Sequence, residues 1–277
     1  MSATTHAGTR REAVQAATDA LAAAGCDTPR LDAELLIADA LGVDRGAFVA
    51  GPNEGIPAAA ARAIGERVRR RVAREPVAYI LGRKGFRHIE LAVDRRVLIP
   101  RPETELLVEV ALELPRGARV HEVGTGSGAV ALALRQERPD LRVSASDSAG
   151  PAVDVARANA RALGLDLALV VARGLPDPLA FGEPGRGYDL VVANLPYVED
   201  GHALAPEIER YEPAEALRAG TDGLEAIRGL AAETPTGVRL ALEHAPQQAA
   251  AVRELLDGAE TRRDLAGQER VTIGHSR

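Results

Sequence analysis

The chain has 277 residues, 46% hydrophobic and 27% charged, with a formal net charge of −6. That length can bury a sizeable core in one large or two modest domains, and the acidic balance disfavours a grip on nucleic-acid phosphates, so no direct nucleic-acid contact is expected. Cys26 is the single cysteine, which excludes an internal disulfide and a cysteine-based zinc site; with no apolar run of membrane-spanning length and a polar start at Met1–Arg10, a reducing cytoplasm is the expected setting, without a membrane partner.

In chain order, Val14, Ala17 and Leu21 recur at helical spacing and stop near Gly25, and Leu31, Leu35, Leu36 and Leu41 form a second stripe ending at Gly42. A third helix follows Pro57 and runs to about Arg74, carrying Arg62, Arg67, Arg69, Arg70, Arg71 and Arg74. Lys84 is the only lysine, so arginine is simply the chain's general cation. The arginine run reads first as a solvated face and second as a face that docks a partner. From Val77 to Ile99 the pattern changes: Gly82 and Gly85 punctuate short segments, and Ile89, Leu91 and Val93 alternate with polar residues, which predicts a β-hairpin connector.

Strands and helices then alternate. Strands are predicted at Arg119–Val123, Leu141–Ser146, Leu167–Ala172, Leu190–Ala193 and Val238–Leu242, helices over Ala129–Gln136 and Ala152–Leu163, and a closing hairpin at Arg262–Leu265 and Arg270–Ile273. This order implies an α/β, Rossmann-like parallel sheet covered on both faces, with antiparallel pairing at one edge. The expected organisation is a helical N-terminal domain over residues 1–75, the hairpin connector over 76–98 and the α/β domain over 99–277.

The first α/β strand runs into Gly124-Thr125-Gly126-Ser127-Gly128. Glycine lets the backbone turn tightly against a ligand, and the helix start beyond offers free N–H groups to an anion. That anion is a pyrophosphate in a dinucleotide enzyme and a methionine carboxylate in a methyltransferase, and the loop alone does not separate them. Asp147 closes the second strand, where an acid takes a ribose hydroxyl pair in both classes.

Asn194-Leu195-Pro196-Tyr197, at the end of the fourth strand, discriminates. Methylating a planar nitrogen requires orienting an NH2 whose lone pair is delocalised. The Asn194 amide oxygen and the Leu195 carbonyl are placed to accept its two hydrogens, Pro196 stiffens the turn, and the Tyr197 ring is placed to stack on the target. These residues make the expected catalytic and substrate-binding set. The six histidines show no ligand spacing, so no metal is implied. Glu103 and Glu105 charge a helix start, and His244 is read as structural.

At this point the chain resembles the PrmC/HemK family, the protein-(glutamine-N5) methyltransferases of peptide chain release factors. The strings are Arg74-Glu75-Pro76-Val77-Ala78-Tyr79-Ile80-Leu81-Gly82 and Val97-Leu98-Ile99-Pro100-Arg101-Pro102-Glu103-Thr104-Glu105, then Gly124–Gly128, Asn194–Tyr197, Tyr211-Glu212-Pro213, Asp222-Gly223 and Arg263-Asp264-Leu265-Ala266-Gly267. The resemblance implies a seven-stranded S-adenosylmethionine-dependent domain releasing S-adenosylhomocysteine, and a small all-α N-terminal domain that helps hold the release factor. It implies methylation of the glutamine in a Gly-Gly-Gln loop. Carried over by motif, Gly124, Thr125, Gly126, Ser127, Gly128, Asp147, Leu175 and Asn194 bind the donor, and Asn194–Tyr197 bind the glutamine amide; the enzyme is expected to work as a monomer.

Two positions depart from the family pattern. Leu195 stands where proline is usual, a form shared with ribosomal-RNA adenine dimethylases, which keeps adenine-N6 methylation of RNA or DNA as an alternative. Gly174 stands where the family has an aspartate near the adenine, with Asp177 as a substitute. An NAD-linked oxidoreductase and a non-catalytic binding module are the alternatives of other classes.

Overall fold

The computed structural model describes residues 6–178 and 187–277. The chain divides into two compact units, Met1–Gly82 with Leu204–Tyr211, and Arg83–Ala203 with Glu212–Arg277.

The first unit is mainly helical: α1 (Arg10–Ala23), α2 (Pro29–Leu41), α3 (Ala47–Ala50), α4 (Ala58–Val72) and α5 (Val77–Leu81), with the helix Pro206–Tyr211 added from later in the chain. Two short strands, β1 (His6–Thr9) and β2 (Gly55–Pro57), pair antiparallel. Thr9 starts α1 with a capping box: its hydroxyl accepts from Glu12 N, and the Glu12 carboxylate accepts from Thr9 N. Val14, Ala17, Leu21, Ala33, Ile37, Ile56 and Ile64 form the core, each large aliphatic side chain contributing about 1.5–3 kcal/mol by leaving water.

The arginine run on α4 is neither a uniformly solvated face nor a free docking stripe. Arg71 is 5% exposed and donates to Asp32 at 2.7 Å and to Glu207 at 2.9 Å, Arg67 pairs with Asp39, and Arg70 grips Glu75 through two bonds of 2.7 Å. The buried pairs tie α4 to α2 and to the helix Pro206–Tyr211. Helix period sent these cations to different faces, which a count of charges does not reveal. The segment after Pro76 also differs from expectation, because Val77–Leu81 is helical. Proline's fixed φ suits a helix start, and Gly82, at φ 71°, ends the helix in the left-handed conformation.

In the second unit a hairpin of β3 (Arg83–Phe86) and β4 (Ile89–Ala92) precedes α6 (Glu105–Leu112). The sheet is built from β5 (Arg119–Val123), β6 (Arg142–Asp147), β7 (Ala168–Val171), β8 (Leu190–Ala193), β9 (Arg239–Glu243), β10 (Leu256–Arg263) and β11 (Glu269–Ser276). Its helices are α7 (Ala129–Glu137), α8 (Gly150–Leu163), α9 (Glu225–Glu233) and α10 (Ala249–Glu254). The seven strands lie in the order β10-β11-β9-β8-β5-β6-β7. Strands β9, β8, β5, β6 and β7 are parallel, and β10 and β11 are antiparallel additions at one edge. Both ends of the terminal hairpin run further than its apolar pattern indicated, because β11 is paired on both sides. Strands β5 and β8 are buried along their whole length, as apolar parallel strands between helix layers must be.

Candidate active site

Sheet order creates the site. From β5 the chain steps one way through β6 and β7, then returns to the other side of β5 as β8. Such a switch point leaves a crevice outside the carboxyl ends of the two strands. The register levels those ends: Val123 pairs with Ser146 and Ala193, and Ala193 pairs with Leu242. Gly124, Asp147, Asn194 and Glu243 therefore leave the sheet side by side. Above them lies a cleft of about 580 Å³, lined among others by Gly124, Thr125, Gly126, Ser127, Asp147, Asn194, Leu195 and Pro196. That volume suits a small cofactor.

Gly124, Gly126 and Gly128 all have positive φ, at 75°, 54° and 85°. A Cβ on Gly124 would stand 3.1 Å from Leu195 Cδ2, and one on Gly128 would stand 2.8 Å from Leu132 Cδ1. Gly128 thus serves the packing of α7 rather than the cleft wall. Asp147 holds the loop closed, its two carboxylate oxygens accepting from Gly126 N and Ala149 N, each at 2.9 Å. Glu122 lies beneath the loop and accepts from Thr125 Oγ1 at 2.7 Å and Ala131 N at 3.0 Å. Burial pushes its carboxyl up to about 8. Sequence reasoning passed over Glu122; an acid in the middle of a fully buried strand was the available signal.

The Asn194–Tyr197 turn is braced from three sides. Asn194 Nδ2 donates to Thr104 Oγ1 at 2.9 Å, which leaves Oδ1 as the end of the amide offered to the cleft. The Tyr197 carbonyl accepts from Gln248 Nε2 at 2.9 Å, and the same nitrogen donates to the Asp222 carbonyl at 3.1 Å. Gly223 lies so close that a Cβ there would stand 2.2 Å from the Tyr197 oxygen. Tyr197 itself does not line the cleft. It is half-buried, with its hydroxyl 3.4 Å from Glu243 Oε1.

Two other strings meet at Glu212. Glu212 accepts from Ile99 N at 3.1 Å and from the Arg101 guanidinium, so the Val97–Glu105 and Tyr211–Pro213 strings are two halves of one clamp. Asp264 turns the terminal hairpin by accepting from Ala266 N and Gln268 N and pairs with Arg270. His244 lies inside, its ring bonded to the Ala245 carbonyl and Thr272 Oγ1, and burial lowers its pKa.

At the far end of the cleft Gly174 has φ 69°, and Glu233 Oε2 occupies the space a Cβ would need, 2.0 Å away. Both residues line the cleft, whereas Leu175 packs against the core around Val191 and Leu230, and Asp177 is exposed and outside the lining. An acid is thus present where the sequence lacks one, supplied by the end of α9.

Residues 12–82 match the PrmC N-terminal domain family, and residues 102–213 match the methyltransferase small domain family. Named relatives match nearly end to end. The release factor glutamine methyltransferase of Xylella fastidiosa (strain Temecula1) is 41% identical over 268 residues, 92% of this chain and 96% of its own. That of Mycolicibacterium smegmatis is 42% identical over 274 residues, 94% and 95% of the two chains. This chain belongs to the release factor glutamine methyltransferase family. The relative from Burkholderia pseudomallei is 44% identical over 266 residues, 88% of this chain and 91% of its own. Within the family frame, the methyltransferase small domain match spans the glycine loop, Asp147 and the Asn194 turn. Four residues that brace or extend the site, Gly223, Glu233, Glu243 and Gln248, follow its last residue.

Proposed function

We propose that this chain transfers the methyl group of S-adenosylmethionine to the side-chain nitrogen of the glutamine in the Gly-Gly-Gln loop of peptide chain release factors, in the cytoplasm. The single observation that carries the reading is the Asn194 amide, locked by Thr104 beside the glycine loop with its oxygen left for a substrate NH2. Release factors enter as the substrate through the names of the relatives.

The residues present fit the donor. The left-handed glycines keep side chains off the loop's inner face, and the start of α7 brings N–H groups suited to a carboxylate. Asp147 sits at the strand end where a ribose hydroxyl pair is taken. When bound, S-adenosylmethionine supplies an electrophilic methyl group on a sulfonium. The protein's part is to orient the acceptor. Asn194 Oδ1 and the Leu195 carbonyl accept the two amide hydrogens, drawing electron density onto the nitrogen as its lone pair leaves conjugation, and once the nitrogen carries the methyl group one of these hydrogens leaves as a proton to solvent. Leucine at 195 keeps this carbonyl and packs on Gly124. Tyr197 acts as a buttress between Gln248 and Glu243.

Glu233 is assigned the adenine end, where a carboxylate accepts from an exocyclic amino group. Glu233→Gln is expected to weaken S-adenosylhomocysteine binding about threefold to tenfold, the worth of one hydrogen bond to a charged group at a solvent-open site. Calorimetric titration checks it, and Asp177→Asn, away from the cleft, is expected to bind normally.

The function itself is tested by incubating the enzyme with labelled donor and either a release factor or its Gln→Ala variant. Label confined to the glutamine form, and mapped to the Gly-Gly-Gln peptide by mass spectrometry, is the expected result. Equal labelling of both proteins, or label in RNA, would overturn it.

A further inference from the structure

One buried side-chain amide ties two parts of the cleft wall together. Asn159, on α8, is 2% exposed and lies outside the cleft lining. Its Oδ1 accepts from Ala92 N at 2.8 Å, and its Nδ2 donates to Ala92 O at 3.0 Å and to Ser127 O at 2.9 Å. Ala92 ends β4, and the chain runs on from it to Arg96, Val97 and Leu98, which line the cleft. Ser127 belongs to the glycine loop and lines it too. We propose that Asn159 is the positioning residue that presets the donor cleft, holding the glycine loop and the Ala92–Leu98 segment in register with each other. The inference rests on the reading of this cleft as the S-adenosylmethionine site.

The amide can be used in one sense only. Ala92 N donates, and the Ala92 and Ser127 carbonyls accept, so the oxygen and nitrogen of Asn159 cannot change places. In an extended residue the N–H and C=O point to the same side. A primary amide offers an acceptor and a donor side by side, so Asn159 pairs with the edge of β4 as a neighbouring strand would; β3 is the ladder partner on the other side. The second hydrogen on Nδ2 is left for the loop. A leucine of similar size would fill this space without taking an amide out of water, so packing alone does not call for asparagine here.

The loop needs support from outside because its own backbone supplies little. Gly126 and Gly128, at φ 54° and 85°, occupy a region that glycine enters and leaves freely. The peptide between Ser127 and Gly128 is held at both ends: Gly128 N donates to Thr125 O at 2.8 Å, and Ser127 O accepts from Asn159. Without Asn159 the turn bond must hold this peptide without its second anchor, and a buried carbonyl loses a donor. The donor must then order the loop as it binds, and its affinity falls by that cost. Methyl transfer itself is unaffected once the cleft is filled, because Asn159 reaches neither Asn194 nor the cleft surface.

The test combines calorimetric S-adenosylhomocysteine affinity, Tm, and the single-turnover rate on a release factor at saturating S-adenosylmethionine, for wild type, Asn159→Leu, Asn159→Asp and Val155→Ala. Leucine keeps the volume and removes the hydrogen bonds. Aspartate keeps the acceptor for Ala92 N but sets an oxygen against the Ala92 and Ser127 carbonyls. Both are expected to bind S-adenosylhomocysteine about tenfold to thirtyfold more weakly, with the single-turnover rate within about threefold of wild type. Val155 is buried on the same helix and outside the cleft lining. Val155→Ala is therefore expected to lower Tm while keeping donor affinity within about twofold. Affinity within about twofold of wild type in either Asn159 variant, a weakening in Val155→Ala that matches theirs, or a rate that falls while affinity holds overturns the inference. Wild-type protein that binds no S-adenosylhomocysteine overturns the donor reading instead. If the Asn159 variants fail to fold, hydrogen exchange on the wild type decides. Protection of the Gly128 amide before ligand is added supports a preset loop; exchange as fast as an open amide until S-adenosylhomocysteine arrives overturns it.

Discussion

Asn194→Ala is expected to lower kcat for glutamine methylation by about a hundredfold to a thousandfold, the usual cost of deleting one preorganised polar contact to a transition state. The amide is part-buried and already bonded to Thr104, so its geometry is set before substrate arrives. Alanine removes the acceptor, leaving water to take the substrate hydrogen at a site without fixed direction. It also removes the donor that Thr104 Oγ1 accepts from. Because Asn194 also borders the donor cleft, donor affinity is expected to fall by about threefold, far less than kcat, since the glycine loop and Asp147 remain. Single-turnover kinetics with preformed donor complex, alongside calorimetry, separates the two. A loss found wholly in donor affinity, with single-turnover chemistry intact, would count against the acceptor role.

The second large effect needs no contact with either ligand. Gly223→Ala places a methyl group 2.2 Å from the Tyr197 carbonyl oxygen and 2.7 Å from Gln248 Nε2, at a residue with φ 68°. Left-handed backbone costs alanine about 1 kcal/mol by itself. The clash adds more, because backbone cannot rotate aside as a side-chain tip can; the Asn194–Tyr197 turn or the Asp222 loop must move. A shift of about 1 Å in a positioned group is enough to cost about a hundredfold in rate. Gly201→Ala is the control, since Gly201 has φ 78° but nothing within 4 Å of the added carbon. It is expected to lose stability slightly and keep its rate, whereas Gly223→Ala loses both. Thermal unfolding and kcat measured on the pair check this, and equal rates in the two variants would show that the turn tolerates displacement.

Much of the molecule was legible as pattern. Buried parallel strands declare themselves as apolar runs, as in Leu190–Ala193 and Arg119–Val123, where both faces are covered by helices. The glycine loop and the Asn194 turn were legible because each does its work within a few residues, through backbone conformation and a strand end. Helix Val77–Leu81 escaped because its five residues are too few to show a period, and the apolar residues on either side carried the reading toward strand. Among the predicted site residues, Gly128, Leu175 and Tyr197 are not in the lining of the cleft, and Leu175 packs against the core around Val191 and Leu230. From sequence a residue's neighbourhood is visible, but not the direction its side chain takes.

What sequence by itself determined, then, was the succession of strands and helices, the switch-point loop and the presence of an amide at a strand end. Local rules suffice for these, because dihedral preference, period and turn chemistry act over a handful of residues. Only the tertiary structure decided what supports them. Thr104 meets Asn194 across 90 residues and Tyr197 meets Glu243 across 46; Glu233 reaches Gly174 from the end of another helix. Hydrogen bonds and close contacts act over a few ångströms of space whatever the chain separation, so the sheet order and register that align Gly124, Asn194 and Glu243 at one edge had to exist before these partners could be known.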